Sequence, residues 1–229
     1  DPHISVGFGR IEMIRTARKE GRAKSLDDVL ALSAEDFTKS RSDPYAWSWA
    51  LCKFLDTHPR YRERFRQLAA IPDGVTFRRE FARLFTPDGP QLRTEWDLFA
   101  ATLEYGYDLE RSIAQFVPGE PLSRDTSVNV TVDAAAGWQS TGVSVERGTS
   151  YQLESRGEVT LADDPRPWIS HPAGVTIRYS GGRPIGRLLG AILVDDPPDD
   201  LPAAGLTEVY DVGENATLLP SRSGTLYLR

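Results

Sequence analysis

The stretch TGVSVERGTSYQLES, residues 141–155, alternates apolar and polar side chains on both sides of an Arg-Gly pair. A period of two residues is typical of a strand with one buried face. A glycine between two such runs is a turn signal. We therefore predict a β-hairpin over residues 141–155.

The same alternation continues outward through the C-terminal half. SVNVTVD, residues 127–133, predicts a strand. Further strands are predicted at 158–161, 175–179, 187–194, 207–212, 217–219 and 225–228. Short strands separated by Gly and Pro indicate an antiparallel β-sandwich. We place LLGAILV, residues 188–194, at its centre because a strand covered on both faces is apolar throughout.

The first half has helical periodicity instead. Ser25 with Asp28, and Ser33 with Asp36, each form the Ser-x-x-acid pattern that begins a helix. We expect two short helices there, within an N-terminal all-α helical bundle that covers residues 1–117.

A longer helix is predicted from DPYAWSWALCKFL, residues 43–55, because proline is favoured in the first turn. The expected buried face carries Tyr45, Trp49, Cys52 and Leu55. Cys52 is the only cysteine, and we expect a small buried thiol. The last helix is predicted to carry Leu109, Ile113 and Phe116.

Charge and composition divide the chain at the same place. Residues 1–117 hold 18 basic and 18 acidic side chains, whereas residues 118–229 hold 9 and 15 and 13 of the 19 glycines. We predict a linker at 118–125 and a β domain at 126–229, truncated at its C-terminus. Neither half is basic enough to indicate a nucleic-acid partner. The longest apolar run, 188–194, is far shorter than the roughly 20 residues of a membrane span.

Catalytic motifs are missing from the sequence. It contains neither a nucleophile–base pattern nor a metal-ligand pattern, and its three histidines, His3, His58 and His171, are widely separated. We expect no catalytic residue and no cofactor in this chain.

Four helical segments resemble a known family: SLDDVLALSAEDF (25–37), DPYAWSWALCKFL (43–55), PRYRERFRQL (59–68) and EWDLFAATLEYGYDLERS (95–112). Over residues 6–116 the chain resembles the helical region of a bacterial family of unknown function, common in planctomycetes. That family carries a zincin-like peptidase domain of the gluzincin type, related to peptidase MA. The resemblance implies that the zinc-binding helix precedes these residues, so no zinc ligand is assigned here. It leaves open whether the full-length protein is a zinc metallopeptidase, and the alternative is an unrelated helical bundle.

The β half has a resemblance of its own, carried by GWQSTGVSVERGTSYQLESRGEV (137–159), PIGRLLGAILV (184–194) and VYDVGENATLLPSRSGTLYLR (209–229). These segments resemble the calcium-dependent galactose-binding lectins of the Pseudomonas type, which are small jelly-roll-like sandwiches. The resemblance implies that calcium is held mainly by an Asn-Asp loop after the last strand. We expect this chain to stop before that loop, so calcium belongs to the full-length lectin-like domain.

The lectin resemblance implies a weak carbohydrate and calcium site in the present chain. Its candidates are the backbone carbonyl of Leu161, the carboxylates of Asp163 and Asp164, and a sugar platform formed by Trp168 and His171. The alternatives are solvated turn residues for the two aspartates and a lid over the sandwich end for Trp168. The acidic run DDPPDD, residues 195–200, is predicted to be a solvated loop rather than a calcium cage.

Three functional hypotheses follow. The first is a non-catalytic C-terminal portion of a secreted or envelope-associated, metallopeptidase-like bacterial protein, whose lectin-like β module binds a carbohydrate or cell-envelope glycan. The alternative is a protein–protein interaction module with no sugar or metal site. A third interpretation places an unrecognised active site between the two halves.

Overall fold

The computed structural model describes residues 8–40, 42–71, 73–106, 109–164, 166–194 and 205–229. The chain forms two compact units, Asp1–Ile113 and Ala114–Arg229. Among the helices in these ranges, none combines the length and apolar character that a membrane crossing requires.

The first unit is helical. Its α-helices are α1 Phe8–Lys19, α2 Leu26–Leu30, α3 Ala34–Lys39, α4 Asp43–Thr57, α5 Arg62–Gln67, α6 Gly74–Phe85 and α7 Gly89–Thr102. Single 3-10 turns occur at Leu68–Ala70, Thr86–Asp88 and Glu110–Ser112.

The predicted starts of the two short helices are confirmed. The backbone N–H of Ser25 donates to the Asp28 carboxylate at 2.9 Å, and the Asp28 N–H donates back to the Ser25 hydroxyl at 3.1 Å. Ser33 donates to the Asp36 carboxylate through its backbone at 2.8 Å and through its hydroxyl at 2.6 Å. These hydrogen bonds satisfy free groups at the first turn, and they hold the pKa of each carboxyl below its usual value.

The core of this unit is aromatic, and only part of the predicted face of α4 is buried: Leu55 is buried as predicted, and Trp49 packs against the core while partly exposed. Trp47 and Phe54 are completely buried, whereas Tyr45 is 52% exposed and Cys52 is exposed. The Phe54 ring lies 6.0 Å from the Trp96 ring of α7, centroid to centroid. Both sets of positions fit helical spacing, and contact with Trp96 of α7 buries Trp47 and Phe54.

The predicted last helix is wrong. Only the single turn Glu110–Ser112 forms, and the chain then leaves the helical unit after Ile113. The reason is β-pairing: the backbone N–H of Gln115 donates to the Trp138 carbonyl at 2.9 Å. Residues 114–117, which we assigned to the helical domain, therefore lie in the second unit.

The second unit consists of strands. They are β1 Glu120–Pro121, β2 Gln139–Val145, β3 Tyr151–Glu154, β4 Val159–Ala162, β5 Trp168–Ser170, β6 Ala173–Ser180, β7 Arg183–Arg187, β8 Leu189–Leu193, β9 Tyr210–Asp211, β10 Asn215–Leu218 and β11 Gly224–Leu228. One sheet has the order β1-β2-β11-β8-β9, and three further pairs are β10-β3, β4-β5 and β6-β7. All pairings are antiparallel except β1 with β2.

The strands on both sides of Arg147-Gly148 exist, but they do not form the predicted hairpin. β2 pairs with β11, whereas β3 pairs with β10. The turn between them is present, with Gly148 at a positive φ of 78°, and the Gly148 N–H donates to the Pro220 carbonyl at 3.0 Å. The turn therefore lies against the connection between β10 and β11. The strands that flank the turn, β2 and β3, pair with β11 and β10 instead of with each other.

Two other segments differ from expectation. Residues 127–133 form no strand, and their valines Val128 and Val130 are 53% and 38% exposed. Alternation alone does not make a strand where no partner lies alongside. Within the segment predicted as a linker, Glu120–Pro121 pairs with β2.

The apolar run 188–194 supplies β8, which lies between β11 and β9. The central strand of the five is β11. The acidic run 195–200 lies outside the described residues.

Candidate functional site

The sequence-predicted site residues lie on and around the β4–β5 hairpin. Ala162 pairs with Trp168 next to the connecting loop, and Val159 pairs with Ser170 at the other end. Strand β5 was not predicted, because it lies inside a stretch that reads as a loop with three prolines.

Trp168 is partly buried, and Asp163 and Asp164 beside it are exposed. Because side chains alternate along a strand, Trp168 and the buried Ser170 share one face, and Ile169, 48% exposed, takes the other. Neither aspartate forms a hydrogen bond or ion pair with another described residue. An indole face and two solvated carboxylates are thus neighbours in the chain.

Leu161 lies at a bulge between the paired residues Thr160 and Ala162. Its side chain faces β7, since a Cβ atom at Gly186 would be 3.2 Å from the Leu161 Cδ2 atom. Leu161 therefore has a packing role, whatever its carbonyl binds.

His171 is separated from the other candidates. It follows β5 at the end away from the loop, where its Nε2 atom lies 3.9 Å from the Glu158 carboxylate and both side chains are about 60% exposed. Three residues of strand, about 10 Å, separate it from Trp168. Strand pairing therefore places Trp168 opposite Ala162, the residue before Asp163 and Asp164, and leaves His171 at the other end of β5.

No group of three or more His, Cys, Asp or Glu side chains converges within the described ranges as a metal site requires. Calcium binds six to eight oxygen ligands. Asp163 and Asp164 alone make a poor cage.

A buried polar cluster in the helical unit was not predicted. His58, Tyr61 and Glu95 are completely buried, and the Tyr61 hydroxyl donates to the Glu95 carboxylate at 2.5 Å. Burial, followed by the Glu95 charge, raises the pKa of Tyr61. The His58 Nδ1 atom accepts from the Arg60 N–H at 3.2 Å, and the His58 Nε2 atom lies 3.4 Å from Glu95. The sequence signal that could have indicated this cluster is the His58-Pro59 pair. Because such a pair is also explained by the end of a helix, it did not point to a buried polar cluster.

Asp97, two residues beyond Glu95 on α7, is a second perturbed acid. Burial, with a smaller contribution from the charge of Asp27, raises the pKa of Asp97 to about 6. It is only partly buried, so it contacts solvent as well as the helical core.

The β unit also contains a slot of about 310 Å³. Its lining is mainly apolar and includes Leu153, Gly190, Tyr210, Val212, Leu218 and Leu226. Apolar side chains of this kind fit an apolar group better than a sugar, whose hydroxyls need polar partners.

No family model, no curated protein and no solved structure matches this chain.

Proposed function

We propose that this chain is the binding, non-catalytic part of a larger metallopeptidase-like bacterial protein, secreted or envelope-associated, and that its β unit recognises a carbohydrate. The observation that carries the proposal is the position of Trp168. Strand pairing holds the partly buried Trp168 opposite Ala162 at the end of a hairpin, and the exposed Asp163 and Asp164 follow Ala162 directly in the chain. An apolar ring face beside hydrogen-bond acceptors matches the two surfaces of a sugar, its C–H face and its hydroxyls.

The expected sandwich fold is supported by the core of the β unit. Val143 and Val145 of β2, Ile192 of β8 and Leu226 of β11 pack with Leu218 of β10. Strand β10 belongs to the β10-β3 pair rather than to the five-stranded sheet. A core shared by strands of two different sheets supports a sandwich, which is built from two packed layers.

The His58–Tyr61–Glu95 cluster is completely buried and is not proposed as a catalytic site. Its side chains are of the types that act as acids and bases, yet none of them is accessible. A catalytic acid or base has to come within hydrogen-bond distance of its substrate.

The test is a ligand-observed NMR titration of the whole chain with methyl galactoside, with calcium and with a chelator. We expect weak binding, in the millimolar range, that calcium does not strengthen, because the chain offers a platform without a cage. Trp168→Ala should abolish it. Ile169→Ala, the neighbouring position on the opposite face, should leave it unchanged. Binding that survives Trp168→Ala, or no binding by the wild type, would overturn the proposal.

The second candidate, a protein-interaction module, is favoured by the β6–β7 hairpin. Tyr179 pairs with Pro184 and Val175 pairs with Ile185, so residues 176–178 bulge out. Ile177 in this bulge is 71% exposed, and Tyr179 is 57% exposed. Large apolar side chains on a protruding hairpin are typical of a surface that another protein covers.

The protein-interaction candidate can be tested by measuring whether the chain associates with itself. Sedimentation of the wild type over a range of concentrations should show dimers that are lost in Ile177→Ser with Tyr179→Ser. A wild type that stays monomeric would contradict self-association through this hairpin. The same double variant should keep its galactoside binding if Trp168 is the sugar platform.

A further inference from the structure

Two arginines of β7 share one carboxylate of β9. The Arg183 Nε atom donates to the Oδ1 atom of Asp211 at 2.9 Å, and the Arg183 Nη2 atom donates to the Val209 carbonyl at 3.3 Å. The Arg187 Nε atom lies 3.4 Å from the same Asp211 oxygen. Two positive charges thus face one negative charge.

The Arg187 guanidinium has an ion-pair partner in Asp211 but no well-aligned hydrogen bond within the described part of the chain. Its Nε atom is buried and has no hydrogen-bond partner. None of its other N–H groups donates to a described residue. A guanidinium carries five N–H donors, and a buried donor without an acceptor is costly.

The Arg187 guanidinium is also held in place by its surroundings. The backbone of Gly213 approaches it so closely that a Cβ atom there would be 3.4 Å from the Nη2 atom. The Arg187 side chain remains 31% exposed, and that of Arg183 37%. The cluster is therefore ordered on one side and open to solvent on the other.

We propose that Arg183, Arg187 and Asp211 form a binding site for an oxyanion, the carboxylate of an acidic sugar or a phosphate group. The planar guanidinium presents parallel donors that match two oxygens of either anion. Asp211 orients Arg183 and leaves the cluster with an excess positive charge. The inference does not depend on sugar binding at Trp168, because it rests on different side chains.

Calorimetric titration of the whole chain tests the site with four probes: inorganic phosphate, sulfate, galacturonate and neutral galactose. We expect at least one of the anions to give a heat of binding. Galactose should give no heat of binding that depends on the two arginines. Binding of galacturonate alone identifies an acidic sugar, whereas phosphate or sulfate binding identifies a free oxyanion. Either anion should bind more weakly as ionic strength rises.

Arg187→Gln and Arg183→Gln should each weaken anion binding roughly tenfold or more. The matched control is Arg222→Gln, which removes the same charge from an arginine paired with Glu208 on the surface of the same unit. Circular dichroism confirms that each variant is folded.

Asp211→Asn separates a ligand site from a purely structural cluster. Removing the negative charge beside a bound anion should tighten anion binding several-fold. If Asp211 only ties two strands together, this variant loses stability and binds anions no better. No anion-dependent heat in the wild type, or equal affinities in Arg187→Gln and Arg222→Gln, would overturn the proposal. So would unchanged or weaker binding by folded Asp211→Asn.

Discussion

The hydroxyl of Tyr61 donates a hydrogen bond of 2.5 Å to the carboxylate of Glu95, and both side chains are completely buried. Tyr61 lies just before α5, and Glu95 lies in α7, so this bond joins two segments of the helical unit. The Arg60 Nη2 atom lies 3.5 Å from the other Glu95 oxygen and supplies the opposite charge. A carboxylate removed from water needs such partners, because its desolvation is costly.

Tyr61→Phe should lower the free energy of unfolding by about 1–3 kcal/mol, because it leaves a buried acceptor without its donor. The control is Tyr45→Phe, whose ring is 52% exposed and whose substitution should change stability by less than about 0.5 kcal/mol. Urea denaturation of both variants gives the comparison. Equal effects would contradict a stabilising role for this buried hydrogen bond.

Asp97 should make the helical unit less stable as the pH rises. The folded state holds the Asp97 proton up to a pKa of about 6, whereas the unfolded chain releases it near pH 4. Stability therefore falls between about pH 4 and pH 6 and is level above that range. Asp97→Asn should remove the fall and add about 1–3 kcal/mol at pH 7.

Denaturation at several pH values checks the Asp97 prediction. Glu63→Gln is the control, since its carboxylate is 72% exposed and loses the same charge. It should keep the wild-type pH dependence. A fall of stability that persists in Asp97→Asn would assign the effect to another group.

Gly119→Ala tests whether the segment after the helical unit belongs to the sheet. A methyl group at Gly119 would lie 2.4 Å from the backbone nitrogen of Ser144 on β2, so we expect a loss of about 1–3 kcal/mol. Gly74→Ala is the control, because nothing lies within 4 Å of the added methyl. A flexible linker would tolerate Gly119→Ala, and thermal unfolding distinguishes the two cases.

Cys52 should react with an aromatic disulfide reagent in the native protein, one thiol per chain, because it is exposed on α4. Partial burial and then the charge of Asp56 raise the pKa of the thiol. The reaction at neutral pH should therefore be slower than that of a peptide thiol. Reaction only after addition of urea would support the buried thiol that the sequence predicts.

Local signals in the sequence were sufficient for the helix starts. The Ser-x-x-Asp patterns at Ser25 and Ser33 act within one turn, so no distant residue decides them. The same holds for the glycine turn at Gly148, whose positive φ few other residues adopt.

Which strands form and which of them pair depends on residues far apart in the sequence, so local patterns did not predict it. The pairing of β2 with β11 joins segments about 80 residues apart, and the alternation of β2 carries no information about which strand will lie beside it. Residues 127–133 alternate equally well, yet they form no strand in the structure. Strand β5 forms because Trp168 and Ser170 lie opposite Ala162 and Val159, although prolines precede it.

The candidate site was predictable only in part, because some of its residues are neighbours in the sequence and others meet only in the folded chain. Residues Asp163, Asp164 and Trp168 are close in sequence, and a hairpin keeps them close in space. His171 is equally near in sequence, but the direction of β5 carries it to the opposite end. The arginines at 183 and 187 meet Asp211 only through pairing and packing across the unit, so no spacing in the sequence indicates them.

The position of the sugar platform can be measured at a single side chain. The chain has five tryptophans, and the indole N–H of each gives a separate proton–nitrogen NMR signal. On titration with methyl galactoside, the indole signal assigned to Trp168 should shift and saturate in the millimolar range, while the signals of Trp47 and Trp96, completely buried in the helical unit, stay fixed. A Trp168 signal that stays fixed throughout the titration would contradict carbohydrate recognition at the β4–β5 hairpin.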